Sequence, residues 1–417
     1  MRIVYATRLF SGLESSFINR KWNPTGVPTI YRIIEELDKN HDVIFIFTAK
    51  DSGLGYRSTW EESKDFNGSI EGLTHKFRIL TGVRLFPSWF PRKLAMILRD
   101  FRQSILIFIQ AILFKPDIVY CDHANVMAAT FISRFMRRTP VLFRVMGVYP
   151  FTKQTLKPRS LVHYFYRWAY YSPFSNVICT QDGSGIEEWL KKGLNPETQV
   201  DILLNGTDPI HLPKTIDSQL LNLTNNNPII LYVGKLEVYK GCYDFLDAIL
   251  YLLESGERGF HALIIGTGNK EEELKELVSR KNYSRMFTFI KRLPHKQIYV
   301  AHHLSEIYVS MNKLGNLSNS NLEAIRANDC MIIPDPQPDT GVDVVTKKLL
   351  GDSVVTVPIG HPKKLSEEII RLLRSKEARE NMTILLNEKK NKFLWTWDER
   401  IDSELELLER MSIKGTK

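Results

Sequence analysis

The sequence predicts an α/β protein of two doubly wound halves, and three observations carry that prediction. Short β-rich apolar runs alternate with amphipathic helical stretches, the rhythm of parallel sheets with right-handed crossovers. The rhythm breaks in a polar, proline-bearing stretch near residue 210 and then restarts. At 417 residues, the chain is also too long for one ordinary domain.

The elements follow in order. Arg2–Ala6 reads as a strand, Thr29–Asp38 as a helix and Asp42–Phe47 as a strand. A helical region near Pro91–Phe114 leads to the strand Ile118–Cys121, a helix near Val126–Met136 and the strand Val141–Val145. Ser175–Thr180 reads as a strand, and Gly183–Lys192 as a helix closed by Gly193. After the break come the strand Ile229–Val233, the helix Cys242–Ser255 and the strand Ala262–Ile265. Lys270–Arg280, Phe287–Ile290, Ile307–Ser310, Leu322–Ala327 and Met331–Ile333 continue as helix, strand, strand, helix and strand. The expected boundaries are 1–208 for the first domain, 209–228 for a linker and 229–395 for the second domain. Sheets of this kind bind ligands beyond the carboxyl ends of their strands, so a cleft between the halves is the expected site.

Composition narrows the function classes. With 43% hydrophobic and 25% charged residues, the chain is globular rather than disordered. Cys121, Cys179, Cys242 and Cys330 lie far apart with no metal-ligand spacing, which suits reduced thiols in a cytoplasmic protein. The N-terminus starts as a strand, and the apolar run Ile105–Phe114 is too short for a membrane span, so neither a signal peptide nor an anchor is expected. Sites such as Asn67 and Asn222, in Asn-x-Ser/Thr triplets, are then chance occurrences. The net charge of +9 admits nucleic acid, anionic membrane or phosphorylated ligands, but no nucleic-acid-binding signature is present. The excess gathers between residues 77 and 102, where Arg78, Arg84, Arg92, Lys93, Arg99 and Arg102 mix with aromatic residues. That stretch reads either as a contact with the inner face of an anionic membrane or as a helix with a solvated face.

Two segments carry chemistry. In Tyr232-Val-Gly-Lys-Leu-Glu-Val-Tyr-Lys-Gly241, a strand ends at Gly234, and Lys235 and Lys240 flank the turn into the next helix. Two cations near helix N–H groups make a diphosphate site. In Leu314-Gly-Asn-Leu-Ser-Asn-Ser-Asn-Leu-Glu-Ala-Ile325, Asn319 and Ser320 stand at a helix start and Glu323 one turn later. Together these segments resemble the Gly-Arg-Leu-x-x-x-Lys-Gly and Glu-Gly-Leu-Ser-Asn-x-Leu-Leu-Glu-Ala motifs of glycosyltransferase family 4, at the matching separation.

The resemblance implies the GT-B architecture, two Rossmann-like domains facing a cleft. It also implies that residues 396–417 form a helix packing back on the first domain. Lys235 and Lys240 would grip the donor diphosphate, with Lys235 in place of the usual arginine. Glu323 would accept the ribose hydroxyls, and Asn319 and Ser320 would offer backbone N–H groups. Gly266 and Gly268, in Ile264-Ile-Gly-Thr-Gly268, sit where the family has a glycine loop lining the cleft. Phe289-Ile-Lys-Arg-Leu-Pro-His-Lys-Gln297, with Leu293 at its centre, is similar to the segment whose backbone meets the nucleobase. Leu204-Asn-Gly-Thr-Asp208 resembles the family's junction motif. Gly26, in Asn23-Pro-Thr-Gly-Val-Pro28, would permit close backbone approach in the first domain. Asp122 and His123, at the end of the strand Ile118–Cys121, are expected to project into the cleft, His123 as a catalytic residue beside Lys235 and Lys240. Two departures stand out: Gly315 replaces the first motif glutamate, which contacts the donor sugar, and Met146 stands where relatives often carry a histidine.

The expected activity is a retaining, metal-independent transfer of a sugar from a nucleoside-diphosphate sugar to a glycan or lipid-linked acceptor, as in surface-polysaccharide assembly. No cofactor, metal or nucleic-acid partner is expected. Two alternatives share the fold: a non-catalytic or weakened protein, which Gly315 keeps open, and a sugar-nucleotide epimerase.

Overall fold

The computed structural model describes residues 1–50, 60, 64–82, 89–221, 223 and 227–415, without the side chains of Ser11, Arg92, Lys93 and residues 414–415. The chain divides into two compact units. Unit 1 comprises Met1–Thr180, Glu187–Leu203 and Trp397–Lys417; unit 2 comprises Gln181–Ile186 and Leu204–Thr396.

Unit 1 is built on β1 (Arg2–Arg8), β2 (Asp42–Thr48), β3 (Phe66–Gly68), β4 (Phe77–Leu80), β5 (Ile118–Asp122), β6 (Val141–Val145), β7 (Asn176–Thr180) and β8 (Gln199–Leu203). Their order is β3-β4-β2-β1-β5-β6-β7-β8, parallel throughout except where β3 pairs with β4. Every residue of β5, β6 and β7 is buried, because helices cover both faces of a parallel sheet. The helix Pro28–Asn40 starts on a proline at its first position and turns Ile30, Ile33, Ile34 and Leu37 inward at helical spacing.

The last helix, Trp397–Gly415, also belongs to unit 1. Its inward stripe Trp397, Ile401, Glu404, Leu408 and Met411 follows a 4-3-4-3 spacing, and Glu404 is its one charged member. The Glu404 carboxylate meets the guanidinium of Arg144 from β6, and Arg400 donates to it at 2.7 Å. All three side chains are fully buried. Arg144 donates further to Tyr120 Oη at 2.7 Å and to the Thr29 hydroxyl at 2.7 Å. A charge cluster thus sits at the heart of unit 1, with one arginine from the strand and one from the helix sharing the helix's single carboxylate.

Unit 2 holds β9 (Ile229–Val233), β10 (His261–Ile265), β11 (Phe287–Ile290), β12 (Ser305–Val309), β13 (Met331–Pro334) and β14 (Val355–Val357), all parallel, in the order β11-β10-β9-β12-β13-β14. This is the doubly wound order, with its switch point between β9 and β12. Alternation along the strands fills two cores. Ile230 and Tyr232 face the helices Cys242–Glu254 and Pro362–Arg374, whereas Ile229 and Leu231 face the other layer with Tyr308 and Leu322.

Three boundaries differ from the sequence reading. The helix expected over Gly183–Lys192 is Glu187–Gly193; Gly183 and Gly185 have φ of +82° and +71°, which end any helical run there. The six residues Gln181–Ile186 fold with unit 2 instead. The described residues of 209–228 also group with unit 2 rather than forming a linker, because Ser218–Leu221 is a short helix whose Leu220 is fully buried in the core. Asn222 and residues 224–226 lie outside the described residues.

Candidate functional site

The carboxyl ends of β9 and β12 meet at the switch point of unit 2, and both chemistry-bearing segments stand there. After β9, the chain passes through exposed Lys235 to half-buried Lys240 and enters the helix Cys242–Glu254 at Gly241. Gly241 has φ of +73°, and a Cβ there would lie 2.1 Å from the Met311 carbonyl, so only glycine fits. The buried Tyr232 hydroxyl lies 3.0 Å from the carbonyl of Lys235 and 3.2 Å from that of Lys240, tying both lysines to the strand below. Burial depresses the Lys240 ammonium, the nearby charge of Lys235 adds to the effect, and Asp182 opposes it.

Gly266 and Gly268 are required by close packing on the Lys235 loop. A Cβ on Gly266 would meet the Gly234 carbonyl at 1.8 Å, and one on Gly268 the Leu236 carbonyl at 2.3 Å. The two loops also exchange backbone hydrogen bonds, Leu236 N to Thr267 O at 3.0 Å and Lys270 N to Leu236 O at 3.0 Å. The glycine loop is a buttress that sets the height of the Lys235 turn.

The segment after β12 is held by a polar network. Asn316 donates to both oxygens of Asp343 at 2.7 Å, its carbonyl and side-chain oxygen accept from Asn321, and Ser310 donates to it at 2.8 Å. Burial pushes the Asp343 carboxyl up to about 6 despite these donors. The helix Asn319–Ala327 follows, and the side chain of its N-cap residue, Ser318, caps no helix amide. Asn319 accepts from Asn205 at 2.6 Å, and Ser320 lies 3.2 Å from Ser318, hydroxyl to hydroxyl. Glu323 is half-buried, with Oε1 2.9 Å from His295 Nε2, while Nδ1 of the same ring lies 3.6 Å from Asp208. Leu293 packs its side chain on the core of unit 2 and so fixes the turn that presents His295.

Gly315 is the point where geometry explains a sequence departure. A Cβ there would lie 2.5 Å from the Asp182 carbonyl, 2.6 Å from Gly183 C and 2.7 Å from Ser184 N, and its φ is +125°. The segment Gln181–Ile186 fills the space a side chain would take. It is fastened by Leu317 N to Asp182 O at 3.1 Å and by Asp343 N to Gly183 O at 2.8 Å. The Asp182 carboxylate accepts from Ser184 N at 3.0 Å and acts on the charge of Lys240. Sequence reading missed Asp182, Asp343 and His295; only His295, inside a named segment, left a local signal.

The remaining candidates lie on unit 1. His123 follows β5, half-buried, with Nε2 2.8 Å from the Tyr170 hydroxyl; burial pushes it down to about 4, so it is neutral near pH 7. Asp122 does not project as expected. It is buried and accepts from Thr7, the Arg8 amide and Asn125, which makes it a brace for the strand ends. Gly26 has φ of +94° in a loop whose Thr25 packs on Gly12, where a Cβ would stand 1.8 Å from the Thr25 carbonyl. Met146 packs on the apolar core.

The basic stretch 77–102 is not one exposed surface. Phe77 is buried in β4, Arg78 and Arg102 pair with Asp65, and Arg99 is buried against Asp100. Arg84 and Phe86, and the side chains of Arg92 and Lys93, lie outside the described residues. Among the described residues no group of His, Cys, Asp or Glu is placed to hold a metal ion.

The two doubly wound sheets and the returning last helix define the GT-B fold. Solved structures agree along nearly the whole chain. Sucrose-phosphate synthase from Thermosynechococcus elongatus has a TM-score of 0.68 at 14% identity, covering 98% of this chain and 99% of that one. HepE from Anabaena, in complex with UDP, has a TM-score of 0.64 at 16% identity, covering 98% and 100%. Residues 213–384, which hold both motifs, match the family model of the glycosyl transferases group 1. Alpha-D-kanosaminyltransferase of Streptomyces kanamyceticus is 26% identical over 159 residues, 38% of this chain. The chain spans 39% of the length of that relative.

Proposed function

We propose that the chain is a nucleotide-sugar-dependent glycosyltransferase that binds its donor on unit 2. The observation that carries this reading is the pair Lys235 and Lys240, fixed by one tyrosine hydroxyl at a topological switch point, inside the span that matches the family model. In sugar transfer the diphosphate leaves with growing negative charge. Preorganised cations and helix N–H groups stabilise that charge where it develops. Lys235, Lys240 and the first turn of Asn319–Ala327 fill that role. Glu323 accepts the ribose hydroxyls once it parts from His295, and the turn at Leu293 faces the base.

Gly315 leaves no glutamate for the transferred sugar, and Asp182, fastened against it, supplies the carboxylate in its place. The transfer retains configuration, needs no metal because the lysines carry the positive charge, and serves a glycan or lipid-linked acceptor. Reported binding of UDP by HepE makes UDP the first nucleotide to test.

Calorimetry of the full chain with UDP, GDP and ADP tests the reading, with EDTA present throughout. One of them should bind, and Lys240→Ala should weaken it tenfold or more, since charge-assisted contacts contribute roughly 1.5–3 kcal/mol each. Failure of all three to bind the wild type would sink the proposal.

A further inference from the structure

The helix Arg92–Phe114 is apolar on both faces. Ile107 and Ala111 are buried beside Arg99, Gln103 and Ser104, while Leu94, Leu98, Phe101, Ile105, Ile109 and Ile112 are 36–48% exposed. These six recur every three or four positions, so they form one outward stripe about 27 Å long at 1.5 Å per residue. A surface helix ordinarily turns charged and polar residues to that side, and a continuous apolar stripe on a protein surface marks a contact site.

The stripe continues across two neighbours. Phe101 meets Phe131 at 6.0 Å and Phe108 meets Phe135 at 6.3 Å, ring centre to ring centre, joining it to the helix Val126–Phe135. Phe135 itself is 72% exposed. Arg134 then lies 4.6 Å over the Trp168 ring on the helix Leu161–Tyr170. That helix turns Leu161, Tyr164, Phe165 and Trp168 outward on one face.

Charge identifies the occupant. Every charged residue between Asp122 and Asp182 is a lysine or an arginine. Arg137, Arg138, Lys157, Arg159 and Arg167 among them are exposed. Between the helices Val126–Phe135 and Leu161–Tyr170 lies a shallow cavity of 330 Å³ lined by Arg134, Tyr164, Arg167, Trp168 and Tyr171. Arg134 is anchored there by Ser172 and the carbonyls of Trp168 and Tyr171, and the exposed Arg167 guanidinium beside it, among aromatic rings, suits a phosphate head group at a lipid–water boundary. A protein partner would need matching acids as well as apolar area, whereas an anionic bilayer offers both at once.

We propose that this three-helix face of unit 1 docks on an anionic lipid bilayer, with the apolar stripe among the acyl chains and the arginine cavity on a head group. The face lies on the surface rather than through it, since no helix of the described residues is long and apolar enough to cross a membrane. The proposal keeps the apolar residues Leu94, Leu98 and Phe101 of the stretch 77–102, takes its charge from residues 134–167 instead, and stands apart from the donor chemistry.

The full chain should sediment with vesicles of phosphatidylcholine containing phosphatidylglycerol, and at least about tenfold less with phosphatidylcholine alone. Ile105→Glu/Ile109→Glu, and separately Arg159→Glu/Arg167→Glu, should each lower that partition at least about tenfold. Both variants should keep the wild-type melting temperature. A fluorescence readout is independent of sedimentation: brominated lipid should quench the wild type more than Trp168→Phe. Partition that ignores lipid charge and both variants would overturn the proposal. So would a stable dimer in analytical ultracentrifugation that Ile105→Glu/Ile109→Glu dissociates, with no vesicle binding, because the face would then belong to a second copy of the chain.

Discussion

Returning a glutamate to position 315 should damage the protein rather than restore a family-like site. The added Cβ meets only backbone, 2.5 Å from the Asp182 carbonyl and 2.7 Å from the Ser184 nitrogen, so no side-chain rotation relieves it. Holding a non-glycine residue at φ of +125° adds strain of about 1–3 kcal/mol. To make room, Asp182–Ser184 must withdraw, which breaks Leu317 N to Asp182 O and Asp343 N to Gly183 O. At about 0.5–1.5 kcal/mol per hydrogen bond, these add roughly 1–3 kcal/mol, for a total of about 2–6 kcal/mol. A domain of this size loses about 2–4 °C per kcal/mol, so differential scanning calorimetry should show a fall of roughly 4–24 °C. Gly315→Ala should lose most of the same amount, because the clash begins at Cβ. Nucleoside-diphosphate affinity should fall in both variants, since the loop carries Asn319 and Ser320. A Gly315→Glu protein that melts with the wild type and turns over faster would refute the reasoning.

Other consequences can be checked alongside. Asp182→Asn should bind the free nucleoside diphosphate at least as well as wild type, having lost a negative charge near Lys240, yet bind the intact sugar donor about tenfold less well. Equal losses for both ligands in calorimetry would reduce Asp182 to a loop brace. Glu404→Ala leaves Arg144 and Arg400 buried without a counter-charge, and should cost about 3–5 kcal/mol in denaturant unfolding. The triple variant Arg144→Met/Arg400→Met/Glu404→Leu, which removes all three buried charges, should recover much of it, and no recovery would mean that the loss comes from packing rather than from the unpaired charges. His123 titrates near 6.5 when unfolded but near 4 in the fold, so the unfolded chain binds the extra proton between those values. Stability should therefore fall as pH drops from 6.5 towards 4, by up to about 3 kcal/mol. A His123→Gln protein with the same pH slope in thermal melts would contradict this.

The sequence rhythm sufficed for the buried strands, because β5, β6 and β7 are continuous apolar runs between turns. It failed where tertiary context decides. β8 is half-exposed at the sheet edge and alternates polar with apolar residues, so it offers no run to read. The helix Leu161–Tyr170 turns its aromatic residues outward, against the usual pattern. The same division applies to the site. Lys235, Lys240 and Glu323 belong to short local motifs and were legible. Asp182 and Asp343 reach the Gly315 loop from distant parts of the chain, and their geometry exists only once the sheet has formed. The family-like departure at Gly315 was visible in the sequence; its cause, a backbone segment already in the space, was not.

The interrupted make-up of unit 1 has a consequence for synthesis on the ribosome. One of its elements, Trp397–Gly415, is translated only after the whole of unit 2. At about 5–20 residues per second, residues 204–396 take on the order of 10–40 s to emerge. Through that interval Arg144 waits without Glu404, and the apolar stripe that Ile401, Leu408 and Met411 will cover faces water. Every residue of unit 2 precedes Trp397, so its sequence is complete before that of unit 1 although it begins later. Unit 1 is the half left incomplete for longest, and a stop codon at position 397 would orphan it while leaving every residue of its neighbour in place.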